Sequence, residues 1–372
     1  MRVHAILPAK EKFTKSQAGA VAMVLHDFTT GSVYQAQTLI VGTSISEAPL
    51  GQIAYKSIES WHRYFYGRNF GLAHGYIRWV KSLSRTAQPE LIEVHGRCAV
   101  AGIIAQALPH IPVMLVLHND PREMDGARTI AERTRLAQRL AGISAVSAYL
   151  VECFKDGLTE VAGQCPFYVT RFGMDRLYHQ PPAKQKMIVL VGRMVPEKGI
   201  LEAAQALADV LPAYPEWQFK LIGARRFTAG DMSPYEKQVN SILSPLGAQA
   251  EMLGHMSIED VRKYQAEAAI ILAPSQWQEP AGRVILEALS TGAALITSEK
   301  GGIPEYAGDH SILLKVPNSE MIASSLRALL SDKSALENWQ DRAWKSQFLT
   351  LQAAAEIMDS ARSDSVRYFA NR

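Results

Sequence analysis

Short runs of Val, Ile and Leu recur along the chain between longer amphipathic stretches, and they do so in two separate series. Apolar runs of this kind fit strands covered on both faces, and strands that alternate with helices form parallel sheets. The first series is Val3 to Leu7, Thr38 to Gly42, Leu91 to His95, Val113 to Leu117, Ile143 to Ser147 and Phe167 to Thr170. The second follows Gln180-Pro-Pro-Ala-Lys-Gln185, whose prolines and polar side chains read as a linker. It comprises Met187 to Val191, Gln218 to Ile222, Glu251 to Leu253, Ala269 to Ala273, Ala293 to Thr297 and Ser311 to Leu314. The expected fold is α/β, with two Rossmann-like domains facing across a cleft. Ligands bind such sheets outside the carboxyl ends of their strands. The segment from about Ser334 to Arg372 has helical periodicity (Trp339, Trp344, Phe348, Leu351, Ala355, Met358) and is expected to pack as helices back toward the first domain. The domains expected are residues 1–175, joined by a helix at about 352–372, and residues 186–350.

The 372 residues are ample for two cores. No run of about 18 uncharged apolar residues occurs, and Lys10 interrupts the start before a secretory segment forms, so a cytoplasmic protein is expected. Cys98, Cys153 and Cys165 are too scattered for a disulfide framework or a zinc site and read as reduced core thiols. The net charge is +3; up to Thr170 there are 17 Lys and Arg against 13 acids, and 22 against 23 beyond. That surplus is too weak to argue for nucleic acid.

Several signatures are missing: G-x-G-x-x-G after the first strand, G-x-x-x-x-G-K-[ST], G-x-S-x-G, an Asp-x-Asp pair and His-Glu-x-x-His. The richest motif present is Ser275-Gln-Trp-Gln-Glu-Pro-Ala-Gly-Arg-Val-Ile-Leu-Glu-Ala-Leu-Ser-Thr-Gly292. A helix should begin near Gly282, with free amides that attract phosphate or a sugar oxygen. Glu287 then lies roughly 7 to 8 Å along the axis from Gly282 at about 1.5 Å per residue, while Glu279 stays in the loop. Two carboxylates at different depths suit a polyhydroxylated ligand; the plain alternative is a favourable charge near a helix start and a solvated helix residue. In Met187-Ile-Val-Leu-Val-Gly-Arg-Met-Val-Pro-Glu-Lys-Gly199, Arg193 and Lys198 project beyond a strand, a pairing suited to a diphosphate or simply a solvated basic loop. His118, just past Val113 to Leu117, is placed to face a cleft or to be structural, and His95 has the same placement. Small residues in Lys15-Ser-Gln-Ala-Gly-Ala20 would let a backbone approach a ligand closely. Lys300-Gly-Gly-Ile-Pro-Glu-Tyr306 reads as a turn and helix start, either lining the cleft or not.

The pair Glu279 and Glu287, within Glu-Pro-x-Gly-x-x-x-x-Glu-Ala, together with Gly192-Arg193 and Glu197-Lys198-Gly199, resembles the family 4 retaining glycosyltransferases of the GT-B fold. The resemblance implies that Arg193 and Lys198 hold the diphosphate of a UDP- or GDP-sugar donor, that Glu279 binds hydroxyls of the transferred sugar and that Glu287 binds the ribose. It places His118 near the reacting carbon, Gly19 beside the donor, the amides around Pro280, Ala281, Gly282 and Arg283 at sugar or phosphate oxygens, and the Gly223 to Arg226 loop and His255 beside the base. It implies no metal and no cofactor, since the nucleotide sugar is a substrate. Departures are Ala281 where the family often has Phe, Ala18-Gly19 where it has Gly-Gly, and Arg171-Phe-Gly-Met-Asp175 where many members read Asn-Gly-Val-Asp.

The acceptor implied is a saccharide or a lipid-linked saccharide in a cell-surface polysaccharide or lipopolysaccharide step. Trp61-His-Arg-Tyr-Phe-Tyr-Gly-Arg-Asn-Phe70 and Tyr76-Ile-Arg-Trp-Val-Lys81 interleave aromatic and basic residues, which suits peripheral contact with the inner face of a membrane or, equally, helix packing with snorkelling charges. A sugar-nucleotide epimerase or hydrolase, and a non-catalytic nucleotide-sugar-binding protein, are the competing readings.

Overall fold

The computed structural model describes residues 1–59, 64, 67–159, 164–225 and 232–372. It divides into two compact units, Met1–Gly173 with Leu349–Arg372, and Met174–Phe348.

The first unit is built on β1 (Val3–Ile6), β2 (Thr38–Gly42), β3 (Tyr55–Ser57), β4 (Leu91–His95), β5 (Val113–Leu117), β6 (Gly142–Ala145) and β7 (Phe167–Val169). All pair in parallel, in the order β3-β2-β1-β4-β5-β6-β7. Every residue of β1, β4, β5 and β6 is buried, as expected of strands with helices on both faces. The helices are α1 (Ala20–Thr30), α2 (Arg68–Ser82), α3 (Cys98–Ala107), α4 (Ile130–Arg139) and α5 (Ala148–Lys155). Ser147 was expected to end a strand; instead its side chain caps α5 by accepting from Leu150 N at 3.3 Å, and β6 stops at Ala145. All three cysteines are free and buried, and burial pushes the Cys98 and Cys165 thiols up to about 12.

The second unit carries β8 (Gln185–Val191), β9 (Gln218–Ile222), β10 (Ala250–Gly254), β11 (Ala268–Ala273), β12 (Ala294–Ser298) and β13 (Ile312–Leu314), ordered β10-β9-β8-β11-β12-β13 and all parallel. Its helices are α6 (Ile200–Val210), α7 (Pro234–Leu243), α8 (Ile258–Glu267), α9 (Arg283–Thr291), α10 (Ile303–Ala307), α11 (Ser319–Ser331) and α12 (Lys333–Lys345). Arg176 ties the approach to β8 into this unit. Its guanidinium donates to the carbonyls of Leu289 and Ser290, which end α9, and to that of Ser346, each at 3.0 Å. The same plane stacks on Trp344 and Phe348, 4.4 and 4.9 Å from the ring centroids.

The last helix, α13 (Leu351–Ala370), returns to the first unit and packs on α1. Its buried face, Ala354, Ala355, Met358, Ala361, Arg362 and Ser365, follows the helical spacing of the sequence. Among the described residues no helix is long and apolar enough to cross a membrane.

Candidate functional site

In both sheets the strand order reverses once, at β1/β4 and at β8/β11. The crevice outside the carboxyl ends of two such strands is where doubly wound sheets bind ligands. In the second unit Gly192 and Arg193 follow β8, and the Ser275–Glu279 loop follows β11, so both expected motifs meet at this switch point.

Contacts hold the two loops together. Glu197 O accepts from Gln276 N and from Ser275 Oγ, both at 2.9 Å. Ser275 Oγ also lies 2.9 Å from Glu279 Oε1, the same oxygen that pairs with Lys198 Nζ. Gly199 has φ +67, and a Cβ there would collide with the Pro274 carbonyl oxygen, so the loop can press against the end of β11 only with glycine. Lys198 and Glu279, assigned to separate groups of the ligand from the sequence, are thus partners in this structure. An anion arriving at Lys198 would share a cation already anchored by a buried carboxylate. Arg193, by contrast, is exposed, and its side chain makes no hydrogen bond or ion pair with a described residue, while its carbonyl accepts from Val195 N at 2.9 Å.

Glu279 is fixed from behind by the Lys300–Tyr306 turn. Gly302 N donates to Glu279 O at 2.7 Å, and Gly301 N to Gln278 Oε1 at 2.6 Å. Those glycines are therefore a clasp on the loop. Gly282 opens α9 without a side-chain cap, Ile285 N donating back to Gly282 O at 2.9 Å, with Pro280 and Ala281 just before and Arg283 just after, a helix start that suits an anion. Glu287 is half-buried: Gln265 Nε2, on α8, donates to it at 2.8 Å, and the Arg283 side chain stands 3.6 Å away. The solvated-helix reading of Glu287 does not hold.

Gly192, Gly223 and Gly254 end three neighbouring strands. Gly192 N donates to Ile222 O at 3.0 Å and Gly223 N to Gly254 O at 2.7 Å, and with φ +131 Gly223 passes so near Gly192 O that no side chain fits. His255 follows this lacing and is exposed. Arg226 lies outside the described residues. Among the described residues no group of three His, Cys, Asp or Glu side chains is placed to hold a metal ion.

In the first unit, His118 leaves the end of β5 and is 8% exposed. Burial, His95 and Arg97 all hold its imidazole well below its usual range, so it is neutral at neutral pH. Gly19 is the N-cap of α1, and its amide and that of Ala22 hydrogen-bond the Glu11 carboxyl. The group that closely approaches it is the Glu11 carboxyl, at 2.5 Å from where a Cβ would stand, and burial raises that carboxyl above its ordinary range. Of the aromatic stretches, 60–63 and 65–66, including Trp61, lie outside the described residues. Tyr76 is fully buried with its hydroxyl 2.9 Å from His4 Nδ1, and Trp79 stacks on His4 at 5.3 Å, so these two aromatics serve packing.

The sequence reading passed over Ser275 and Gln265, which aim the two carboxylates. Ser275 opens the richest motif and was within reach; Gln265 sits on a helix with no signal beyond its buried face.

Residues 175–346 match the glycosyl transferases group 1 family. The chain is similar to the lipopolysaccharide 1,2-N-acetylglucosaminetransferase of Salmonella typhimurium, 25% identical over 67% of this chain and 65% of that protein. It is also similar to spore coat protein SA of Bacillus subtilis, 27% identical over 41% of each. These matches therefore span less than two thirds of the relatives' lengths. Among solved structures, Anabaena HepE in complex with UDP-glucose superposes with a TM-score of 0.70 at 18% identity, covering 100% of this chain and 98% of that one. WaaG, a glycosyltransferase involved in lipopolysaccharide biosynthesis, gives 0.69 at 16% identity over 96% and 98%. The family match covers 172 of the 372 residues, and the chain as a whole has the GT-B fold.

Proposed function

We propose that this protein is a retaining, metal-independent glycosyltransferase that moves a hexosyl group from a nucleotide-sugar donor to a saccharide or lipid-linked saccharide. The observation that carries the reading is the pairing of Lys198 with Glu279 at the β8/β11 switch point, beside the uncapped start of α9 and the exposed Arg193. Glycosyl transfer builds positive charge at the anomeric carbon and negative charge on the departing diphosphate. Lys198, held by Glu279, and the start of α9 are fixed positive groups for that diphosphate, with the Arg193 side chain free to swing onto it, and fixed groups stabilise developing charge without reorganising. Glu279 would receive sugar hydroxyls, Glu287 the ribose, and the Gly223 and His255 region the base. His118 would meet the donor sugar. The acceptor hydroxyl would attack from the leaving-group face with a donor phosphate oxygen as base, so no protein nucleophile is needed.

Support for an acceptor in the first unit comes from a cavity of about 510 Å³ at the carboxyl ends of β1, β2 and β3. Lys10, Lys12, Arg68 and Tyr64 line it with Glu59 as the one acid among the described residues, which suits an acceptor bearing an anionic group. The names of the Salmonella relative and of WaaG support a cell-surface polysaccharide step.

Thermal-shift screening against UDP-, GDP- and ADP-sugars, in magnesium and in chelator, tests the donor assignment. A nucleotide-selective rise in Tm that persists in chelator is expected, because a ligand bound only by the folded state stabilises it by mass action. No rise with any nucleotide sugar would overturn the donor assignment, and a rise confined to magnesium would overturn metal independence.

A further inference from the structure

The cavity of about 510 Å³ at the carboxyl ends of β1, β2 and β3 is lined by three cations that lack counter-ions among the described residues. Lys12 is half-buried, and its ammonium donates to Ser44 O at 2.6 Å and to Thr43 Oγ1 at 3.3 Å, both neutral oxygens. An ammonium has three hydrogens, so one remains for a ligand. Lys10 and Arg68 are exposed, and their side chains make no hydrogen bond or ion pair with a described residue. The walls are bonded to one another. Ala9 O accepts from Thr43 Oγ1 at 3.3 Å, Ala9 N donates to Asn69 Oδ1 at 3.1 Å, and Thr43 O accepts from Tyr55 OH. The loops after β1 and β2 and the first turn of α2 thus form one frame, which sets the three cations around a common space.

Arg68 is also the first residue of α2. Its N-cap, Gly67, brings no side-chain hydrogen bond, and the first turn contains no acid. A cation at the positive end of a helix dipole weakens the helix, whereas an anion there stabilises it. An anion between Arg68, Lys10 and Lys12 therefore relieves both the mutual repulsion of the cations and their mismatch with the dipole.

The charge count selects the anion. Three cations against Glu59, the one acid among the described lining residues, leave a surplus of two positive charges. A sugar carboxylate brings one negative charge and two oxygens, which the fork of Arg68 alone would satisfy. A phosphate monoester brings about −1.5 to −2 near pH 7 and three acceptor oxygens, enough for the guanidinium and both ammonium groups. We propose that the cavity is a phosphate site and that the acceptor is a saccharide carrying that phosphate as a monoester, with Lys10, Lys12 and Arg68 selecting it over a neutral sugar. That the phosphate arrives on an acceptor rests on the function proposed above; the phosphate site does not.

Amide 1H–15N spectra of the full-length protein, titrated with inorganic phosphate and with acetate at one ionic strength, test the site. The signals of Ser44, Arg68 and Gly71 should shift and saturate with phosphate, roughly 10-fold more tightly than with acetate. Arg68→Gln and Lys12→Met should each weaken that response roughly 10- to 100-fold, the scale of one charge-assisted hydrogen bond, and Arg193→Gln in the second unit should leave it in place. No response at these amides, an equal response to acetate, or a response that survives both cavity substitutions would overturn the phosphate site. Sugar transfer to hexoses, to their 6-phosphates and to hexoses linked to a polyprenyl diphosphate tests the acceptor. The 6-phosphates should be preferred, and Arg68→Gln should raise their KM roughly 10-fold and narrow the preference. A preference for the neutral or lipid-linked sugars, or transfer to none of the three, would overturn the phosphorylated acceptor. Should no nucleotide sugar be a substrate, the amide response still decides the phosphate site, so the two readings fail separately.

Discussion

Lys198 combines two jobs that are usually separate, since it neutralises a buried carboxylate and presents a cation at a strand end. Replacing it by Ala is expected to lower kcat by about 100-fold, the scale of losing one fixed donor to developing charge. The donor-induced rise in Tm should shrink in the same variant, because Glu279 would face the diphosphate uncompensated. Steady-state rates together with thermal shifts check this; wild-type values for both would remove Lys198 from the site. The types and places of Arg193, Lys198, Glu279 and Glu287 were legible in the sequence, because each follows a strand or opens a helix in an unbroken local pattern. Their partners were not. Nothing local marks Gln265 as the group that turns Glu287 inward, or Arg362 as the counter-ion of Glu93, 269 positions earlier.

At the scale of elements, the loop after β8 depends on one backbone geometry. Gly199 and Gly247 both have positive φ, but a Cβ at Gly247 meets open space while one at Gly199 runs into Pro274 O. Gly247→Ala is therefore expected to cost about 1 to 3 kcal/mol, the strain of its φ +55, ψ −126 backbone with no added clash. Gly199→Ala should cost more, and should also weaken nucleotide-sugar binding by shifting Lys198 from Glu279 and Glu197 O from Ser275. Urea denaturation of the two variants side by side measures the difference; equal costs would mean the loop has room to give. Strands with unbroken apolar runs, such as Val113–Leu117 and Ala268–Ala273, were readable because burial on both faces leaves no polar position. β3 was not: Tyr55-Lys-Ser57 is three residues at a sheet edge with Lys56 and Ser57 exposed, so neither length nor apolarity marks it.

For the whole molecule, buried titratable groups set a pH range. Burial, aided by Arg2, pushes His4 down to about 4, so from its ordinary 6.5 down to 4 the unfolded chain takes up a proton that the folded chain refuses. Stability falls over that window. Glu93, at about 2 when folded against an ordinary 4.5, contributes stability that is complete above 4.5 and is lost as pH drops toward 2. Burial lowers Lys184 to about 7 from 10.5, so its contribution has the other placement: stability of the second unit rises with pH between 7 and 10.5. Denaturation midpoints of the first unit at pH 7, 5 and 4 should fall steadily, and His4→Gln should flatten the drop between 6.5 and 4. An unchanged slope in that variant would show that other groups carry the acid response.

The place of α13 also bears on how the molecule is made. Glu93 enters the world on a ribosome 269 residues ahead of Arg362, a delay of roughly 13 to 54 seconds at 5–20 residues per second. During that interval the middle strand of the first sheet carries a carboxylate with no guanidinium to meet it. The second unit, which is contiguous in sequence from Met174 to Phe348, has every residue it needs before the first unit does. The half of the protein synthesised first is thus the half that finishes folding last.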